Sequence, residues 1–258
     1  MVSAPSAILL YDRFRSLILS QAAIRIVPYS CQCHNGLMMA EDSAARFDQL
    51  QGSNLIDGVL KDLFFRHDVA DKFAIRLLHH HFDVTQDEKV VHCSNVAMPW
   101  VTTTLSPIVP SSFIITSFGD LFPYEFTYCP RAAASAAAKG SQDPEALLAR
   151  HFTFLQDLNT VLKETGLIDI LSLAVITYMS GGTGMESTEG RANITVPLDA
   201  VNDATHDDSM ETIWTYDPQA SQGPVQGEMP QPVGQSSEGT RGKLVIKLEG
   251  PGDLIKPC

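Results

Sequence analysis

Residues Asp62 to Val84 read DLFFRHDVADKFAIRLLHHHFDV. Hydrophobic spacing changes period inside this stretch, and the change decides the fold class. Leu63 and Phe64 continue the apolar face of a helix that the spacing predicts over 54–66. Leu55, Val59 and Leu63 share one side of it, joined by Ile56, Leu60 and Phe64. Asn54 is a natural cap, because its side chain can accept from a backbone N–H that the first turn leaves unpaired. After a polar turn, Phe73, Ile75 and Leu77 alternate with Ala74, Arg76 and Leu78, which is strand behaviour. The strand is expected to run to Phe82 and to end in three consecutive imidazoles, His79, His80 and His81. Continued alternation puts His79 and His81 on the Phe73 face and His80 on the opposite face with Arg76. Asp83 to Glu88 reads as a turn and Lys89 to Cys93 as a returning strand, so a hairpin would carry His92 toward the triplet.

Outward from this stretch the chain mixes both periods. Residues 10–20 show helical spacing, and Ala23 to Val27 alternate as a short strand. Ser30 to Asn35, SCQCHN, reads as a polar loop, and Ser43 as the cap of a helix through Leu50. From Trp100 to Tyr128, β-branched and aromatic runs punctuated by Pro107, Pro110 and Pro123 predict an antiparallel meander. The alanine-rich run 132–138 has little to bury and reads as a linker. Asp143-Pro144 then opens the clearest helix, over 144–164. Aspartate is a favoured N-cap, and proline at the first helical position loses no hydrogen bond. Leu147, Leu148, Phe152, Leu155, Leu158 and Leu162 form its apolar face, and Gly166 can end it in the left-handed conformation. Leu167 to Tyr178 is nearly all apolar and fits a buried strand or a buried helix. Ser180 to Gly184 reads as a glycine turn without the spacing of a nucleotide-binding loop. Strands are expected at Ala192 to Val196 and Glu211 to Tyr216.

These elements give an α+β fold: helices packed on a mainly antiparallel sheet, in a single globular domain over 1–216. Residues 217–242 are rich in Gly, Pro, Gln and Ser and are expected to be a flexible, disordered segment. Residues 243–258 would add an edge strand or a tail, since KLVIKL alternates.

Composition narrows the function classes. The chain has 258 residues, 44% of them hydrophobic, enough for a sizeable core. The net charge is −12 and is uneven: residues 1–100 carry nine Lys/Arg against eleven Asp/Glu. Most of the excess acid therefore lies beyond residue 100, with no basic stripe to meet a phosphate backbone, so nucleic acid is not an expected partner. No run of about 18 apolar residues exists, so no membrane span is expected either. The five cysteines are odd in number and irregularly spaced. Reduced thiols and a cytoplasmic location are the simpler expectation, as the N-terminal residues lack a signal-peptide pattern. Asn193-Ile194-Thr195 fits a glycosylation sequon and is read as chance.

His79 and His81 are the leading site residues. A His-x-His pair on a strand aims both imidazoles the same way, roughly 7 Å apart at the backbone. Such a pair suits two ligands of one Zn, Fe or Cu ion. His92 is the third ligand the expected hairpin offers, with Cys93, His67 and Asp83 as alternatives. The same pair can serve as acid and base without a metal, since imidazole titrates near neutral pH. It can also cap a strand end by ordinary hydrogen bonds. Glu189, or Glu186, is a candidate base just before a strand, and Arg191 a candidate clamp for a carboxylate. The competing reading of Glu189 and Arg191 is a surface ion pair. Cys31-x-Cys33-His34 lacks the second pair of a zinc-finger pattern.

FAIRLLHHHF at 73–82 and EGRANITVP at 189–197 resemble segments of a group of filamentous-fungal proteins of uncharacterised activity. In that group a strand ends in a Leu-Leu-His-x-His-Phe pattern. A segment similar to ERANITFP and a Trp-containing strand follow, and Ile213-Trp214-Thr215 is the counterpart here. The group often continues into a Cys/His-bearing segment, where this chain is Gln/Gly/Pro-rich. The resemblance implies a fungal origin and a shared fold, implies no activity, and singles out His79 and His81 rather than His80. The function expected is a small-molecule enzyme of fungal secondary metabolism with a histidine-centred site and a divalent metal as candidate cofactor. The alternative is a non-catalytic binding or regulatory protein acting through protein contacts of its acidic C-terminal third.

Overall fold

Strand alternation at Phe73 holds in the structure for five residues and then stops. The computed structural model describes residues 25–103, 106–130, 143–179, 184–197, 209–217 and 243–247. The helix expected over 10–20, the linker at 132–138 and residues 218–242 lie outside these. The helices are α1 (Cys31–Asn35), α2 (Ala40–Gln49), α3 (Gly52–Leu55), α4 (Lys61–Arg66), α5 (Pro144–Arg150) and α6 (Phe152–Thr165). The strands are β1 (Phe73–Leu77), β2 (Glu88–Cys93), β3 (Val96–Val101), β4 (Ile108–Ile115), β5 (Leu121–Tyr128), β6 (Leu171–Val175), β7 (Gly184–Glu189), β8 (Ala192–Pro197), β9 (Ser209–Trp214) and β10 (Lys243–Lys247).

The strands form one sheet, mostly antiparallel, that curls into a closed barrel in the order β1-β6-β4-β5-β2-β3-β8-β7-β10-β9. The fold is α+β, as the mixed periods imply. Two pairings are parallel, β2 with β5 and β7 with β10. Strand β10 is not an edge: it pairs with β9 on one side and β7 on the other. Closure removes the unpaired strand edges that an open sheet would expose.

The expected hairpin of β1 with β2 does not form. Strand β1 lies between β6 and β9, and β2 lies between β3 and β5. The reason is local. β1 ends at Leu77, where the chain leaves the sheet: Leu78 N–H donates to the Ile170 carbonyl, and His80 N–H donates to the Met38 carbonyl. The meander expected over 100–128 is also only half present. β4 and β5 are a hairpin, but β3 starts at Val96 and pairs with β2 and β8.

The barrel wall has two faces of opposite character. Phe73, Ile75 and Leu77 of β1, Leu171, Leu173 and Val175 of β6, and Phe113, Ile115 and Leu121 belong to one buried apolar cluster with the helices. The helices contribute Ile56, Leu60, Leu63, Phe64, Phe154, Leu158 and Leu162. Each such side chain contributes about 1.5–3 kcal/mol by leaving water. The opposite, inner face carries Ala74, Arg76, Ser172, Ala174, Ser112, Glu125, His92, Asn193, Thr188 and Glu186, as the strand registers require.

The helices refine the predicted ones. The helix at 54–66 runs from Gly52 and contains a π-helical turn, Ile56–Leu60, with Gly58 at φ −102° and ψ −105°. Gln51, not Asn54, is at its N-cap. The widened turn rotates the later residues, so Ile56 and Leu60 are buried while Val59 is exposed. Ser43 is no cap: it lies inside α2, buried, and donates to the Leu78 carbonyl at 2.8 Å. SCQCHN forms the short helix α1 rather than a loop. Asp143 caps α5, accepting from Glu145 N–H, with Pro144 at the first helical position. The helix breaks at His151, whose ring packs edge-on against Phe73. The break shifts the phase, so Phe154 rather than Phe152 enters the core. Gly166 ends α6 at φ 74°.

Candidate functional site

The early end of β1 determines where the histidines go. Because alternation stops at Leu77, His79 and His81 do not continue on the Phe73 face. They turn to the inner side of the barrel, where Arg76 and Glu186 lie. His80 turns away, with Nδ1 3.2 Å from the Met38 carbonyl and Nε2 3.6 Å from Asp83. Across the barrel from the pair runs the β7–β8 hairpin, whose turn holds Gly190 at φ 62°. The stretch before EGR is therefore a strand itself. Its alternation aims Glu186 and Thr188 inward, and β8 adds Asn193.

His79, His81 and Glu186 converge. Their ligand atoms all lie within 4.8 Å of one another. His79 Nε2 is 3.2 Å from His81 Nε2, and His81 Nε2 is 3.4 Å from Glu186 Oε2. His79 and Glu186 are buried and His81 is partly so. Asn193 Nδ2 donates to Glu186 Oε2 at 3.0 Å and lies 3.1 Å from His81 Nε2. These three residues are the ones that could hold a metal among the described residues.

A second polar group adjoins the first. Arg76 Nη1 donates to Glu125 Oε2 and to Ser112 Oγ, and Ser112 Oγ donates to the same carboxylate oxygen at 3.0 Å. Arg76 Nη2 is 4.0 Å from Glu186 Oε1. One guanidinium thus stands between a buried carboxylate, Glu186, and a partly buried one, Glu125. His92 Nε2 is 3.5 Å from Glu125 Oε2. Among the described residues, neither His92 Nε2 nor Arg76 Nε has a hydrogen-bond partner.

Burial sets the protonation of these groups. Burial, helped by the charge of His81, pushes His79 down to about 3. Burial and then the charge of Arg76 push His92 down to about 4. Burial alone would raise the Glu186 carboxyl. The close contact with His81 and the charge of Arg76 outweigh it and hold the group below the usual carboxylate range. At neutral pH the inner face thus presents the neutral imidazoles of His79 and His92 beside an ionised Glu186.

The other candidate residues lie elsewhere. His92 faces the barrel interior but belongs to the Arg76–Glu125 group, brought there by β2 pairing with β5. Glu189 is exposed at the end of β7. Arg191 is exposed too and makes a forked pair with Glu88, at 3.0 and 2.6 Å, plus a bond to the Asp83 carbonyl. His67 pairs with Asp157 of α6 at 2.9 Å. Cys33 is exposed, Cys31 is buried, and Cys31, Cys33, Cys93 and Cys129 are free thiols. The sequon residue Asn193 is 5% exposed with its amide engaged, so it offers no acceptor to a glycan. Sequence reasoning missed Arg76 and Glu125, and weighed Glu186 only as an alternative base. The usable signal was period two across Met185 to Glu189, which puts Glu186 and Thr188 on one face.

No helix among the described residues is long and apolar enough to cross a membrane. A family model described as the T-box transcription factor 2/3 repressor domain matches residues 96–163. That similarity covers well under half of the chain. It spans β3 to β5 and α5 to α6, but not β2, β6 or β8, with which those strands pair. No curated protein and no solved structure matches the chain.

Proposed function

We propose that the protein is a small-molecule enzyme whose active site is the inner face of the barrel, centred on His79, His81 and Glu186. One observation carries this reading: two imidazoles, that of His79 held neutral by burial, and an ionised carboxylate meet inside a closed barrel. Burying polar groups costs stability unless each is paired, so a barrel that served only as a scaffold would be filled with apolar side chains. His79, His81 and Glu186 are the catalytic groups. Arg76, with Glu125 and Ser112, holds Glu186 ionised and forms the adjoining polar surface. Glu189 and Arg191 drop out as catalytic residues, because they face solvent away from this group. The likeness of two segments to filamentous-fungal proteins supports a fungal setting with a secondary metabolite as substrate. The acidic balance and free thiols support a cytoplasmic protein without nucleic-acid partners.

The test is turnover. The full chain and its Glu186→Gln variant are incubated with the small-molecule fraction of a filamentous-fungal culture, and the products are compared by mass spectrometry. A compound consumed by the wild type and spared by the variant supports the enzyme. A compound retained unchanged by both would replace the enzyme with a binding protein, and no change in any compound would sink the reading.

A further inference from the structure

Three lone pairs meet at one point in the barrel. His79 Nδ1 lies 2.9 Å from the Leu77 carbonyl. A carbonyl only accepts, so Nδ1 carries the proton and Nε2 is left with a bare lone pair. His81 Nδ1 lies 3.0 Å from Thr188 Oγ1, and that hydroxyl donates to Asn193 Oδ1 at 3.5 Å. In the tautomer in which that oxygen accepts from His81 Nδ1–H, His81 Nε2 is bare as well. His81 Nε2 faces His79 Nε2 on one side and Glu186 Oε2 on the other. Among the described residues the donor aimed into this point is the Asn193 amide, whose two N–H groups reach Glu186 Oε2 and His81 Nε2. Adjacent bare lone pairs repel unless a cation sits among them.

The dimensions fit a small cation. Bonds of about 2.0–2.1 Å to zinc in tetrahedral geometry separate neighbouring ligand atoms by about 3.3–3.4 Å. The separations of 3.2 and 3.4 Å match, and the ligand atoms of the third pair lie within 4.8 Å. Charge argues the same way. Glu186, buried, and Glu125, partly buried, stand against one guanidinium, Arg76, so this group has one carboxylate in excess. Buried charge is costly unless compensated.

We propose that His79 Nε2, His81 Nε2 and Glu186 Oε2 hold one first-row divalent transition metal, with the Leu77 carbonyl and Thr188 as the outer partners that fix the two imidazoles. Two imidazoles and one carboxylate on one side of the ion leave the remaining positions open to water and substrate. The ligand set differs from the sequence-derived one at a single place: Glu186 stands where His92 was expected. Thr188 is a positioning residue, because it acts through His81. This inference rests on the placement of the active site argued above, and metal binding is measured here independently of turnover.

The experiment uses the full chain stripped with chelator and titrated with Co(II), read by visible absorption and competed with Zn(II). Elemental analysis of the protein as purified identifies the native ion. One Co(II) per chain, displaced by Zn(II), is expected. Binding should be lost in His81→Ala and Glu186→Gln, and kept in His80→Ala, which alters the same triplet outside the cluster. Thr188→Val should weaken the metal about 10–100-fold, with Thr188→Ser restoring it. Folding of each variant is checked by circular dichroism, and the wild-type titration stands even where a variant fails to fold. A wild type that takes up no Co(II), or a Glu186→Gln variant that binds as tightly as the wild type, overturns the proposal. So does loss in His80→Ala equal to that in His81→Ala. Metal binding without turnover would leave this site standing and remove the enzyme; turnover in metal-free protein would do the reverse.

Discussion

The two faces of the barrel wall are built by alternate residues of the same strands, yet they obey different physics. On β1, Phe73, Ile75 and Leu77 point outward into the helices and are fully buried among apolar neighbours. Arg76 points the other way and is almost as buried, but among carboxylates, a serine and a histidine. The outer face contributes stability through area removed from water. The inner face consumes stability, since desolvation of buried charge is repaid only by close pairing. A wall that spends stability on one side has a reason other than folding for that side.

This contrast can be broken by substitution. Phe73→Ala should cost about 3–5 kcal/mol, because the ring stacks on Phe154 and a cavity would remain between sheet and helix. Urea unfolding measures it, and a cost below about 1 kcal/mol would mean that the outer face is not the main core. Arg76→Met keeps the volume and removes the charge. It should cost about 3–5 kcal/mol by leaving Glu125 and Glu186 uncompensated. Adding Glu125→Gln should return part of that loss, and a strictly additive double variant would show that the two groups do not interact.

Acid separates the two faces further. His79 and His92 ordinarily titrate near 6.5 and are pushed in the fold to about 3 and about 4. Between those limits the unfolded chain takes up protons that the native chain refuses. Chelator-stripped protein should therefore keep this contribution above pH 6.5 and lose it progressively as the pH falls toward 4, on the order of 3 kcal/mol for each histidine. Unfolding midpoints taken from pH 7 down to 4.5 measure the slope, and a flat profile would mean that the inner face is wet. The apolar side chains of the outer face do not titrate, so Phe73→Ala should leave most of this slope in place.

The smallest effect is expected at the surface. Arg191→Ala breaks the pair with Glu88 on exposed residues and should change stability by less than about 1 kcal/mol. It should leave Co(II) binding as in the wild type, and a variant that lost the metal would return Arg191 to the site. The same chemistry, an arginine and a carboxylate, thus carries large consequences inside the barrel and small ones outside it.

Much of the fold is legible in the residues themselves. Period two over Phe73 to Leu77, the Asp143-Pro144 cap and the Gly166 terminator are all present in the structure at the places the sequence puts them. These signals are local: each depends on φ, ψ and side-chain direction within a few residues. The candidate site was half legible. His79 and His81 were distinguishable from His80, since every second residue of an extended chain points the same way. The face they occupy was not, because the strand stops at Leu77 when the backbone of Leu78 finds the Ile170 carbonyl instead of a ladder partner.

The residues alone therefore specify the type of each element and which side chains share a side of it. Its alternating and helical periods specify an α+β chain with a polar stripe and an apolar stripe on each strand. Tertiary structure alone decided which strands are neighbours and which stripe faces inward. It set β1 beside β6 and β9 rather than β2, and it brought Glu186 to the histidine pair across more than a hundred residues. Periodicity encodes direction relative to the local backbone. The partner across the barrel follows only from closing the whole sheet, where the cost of unpaired edges and of buried unpaired charge is settled for all strands together.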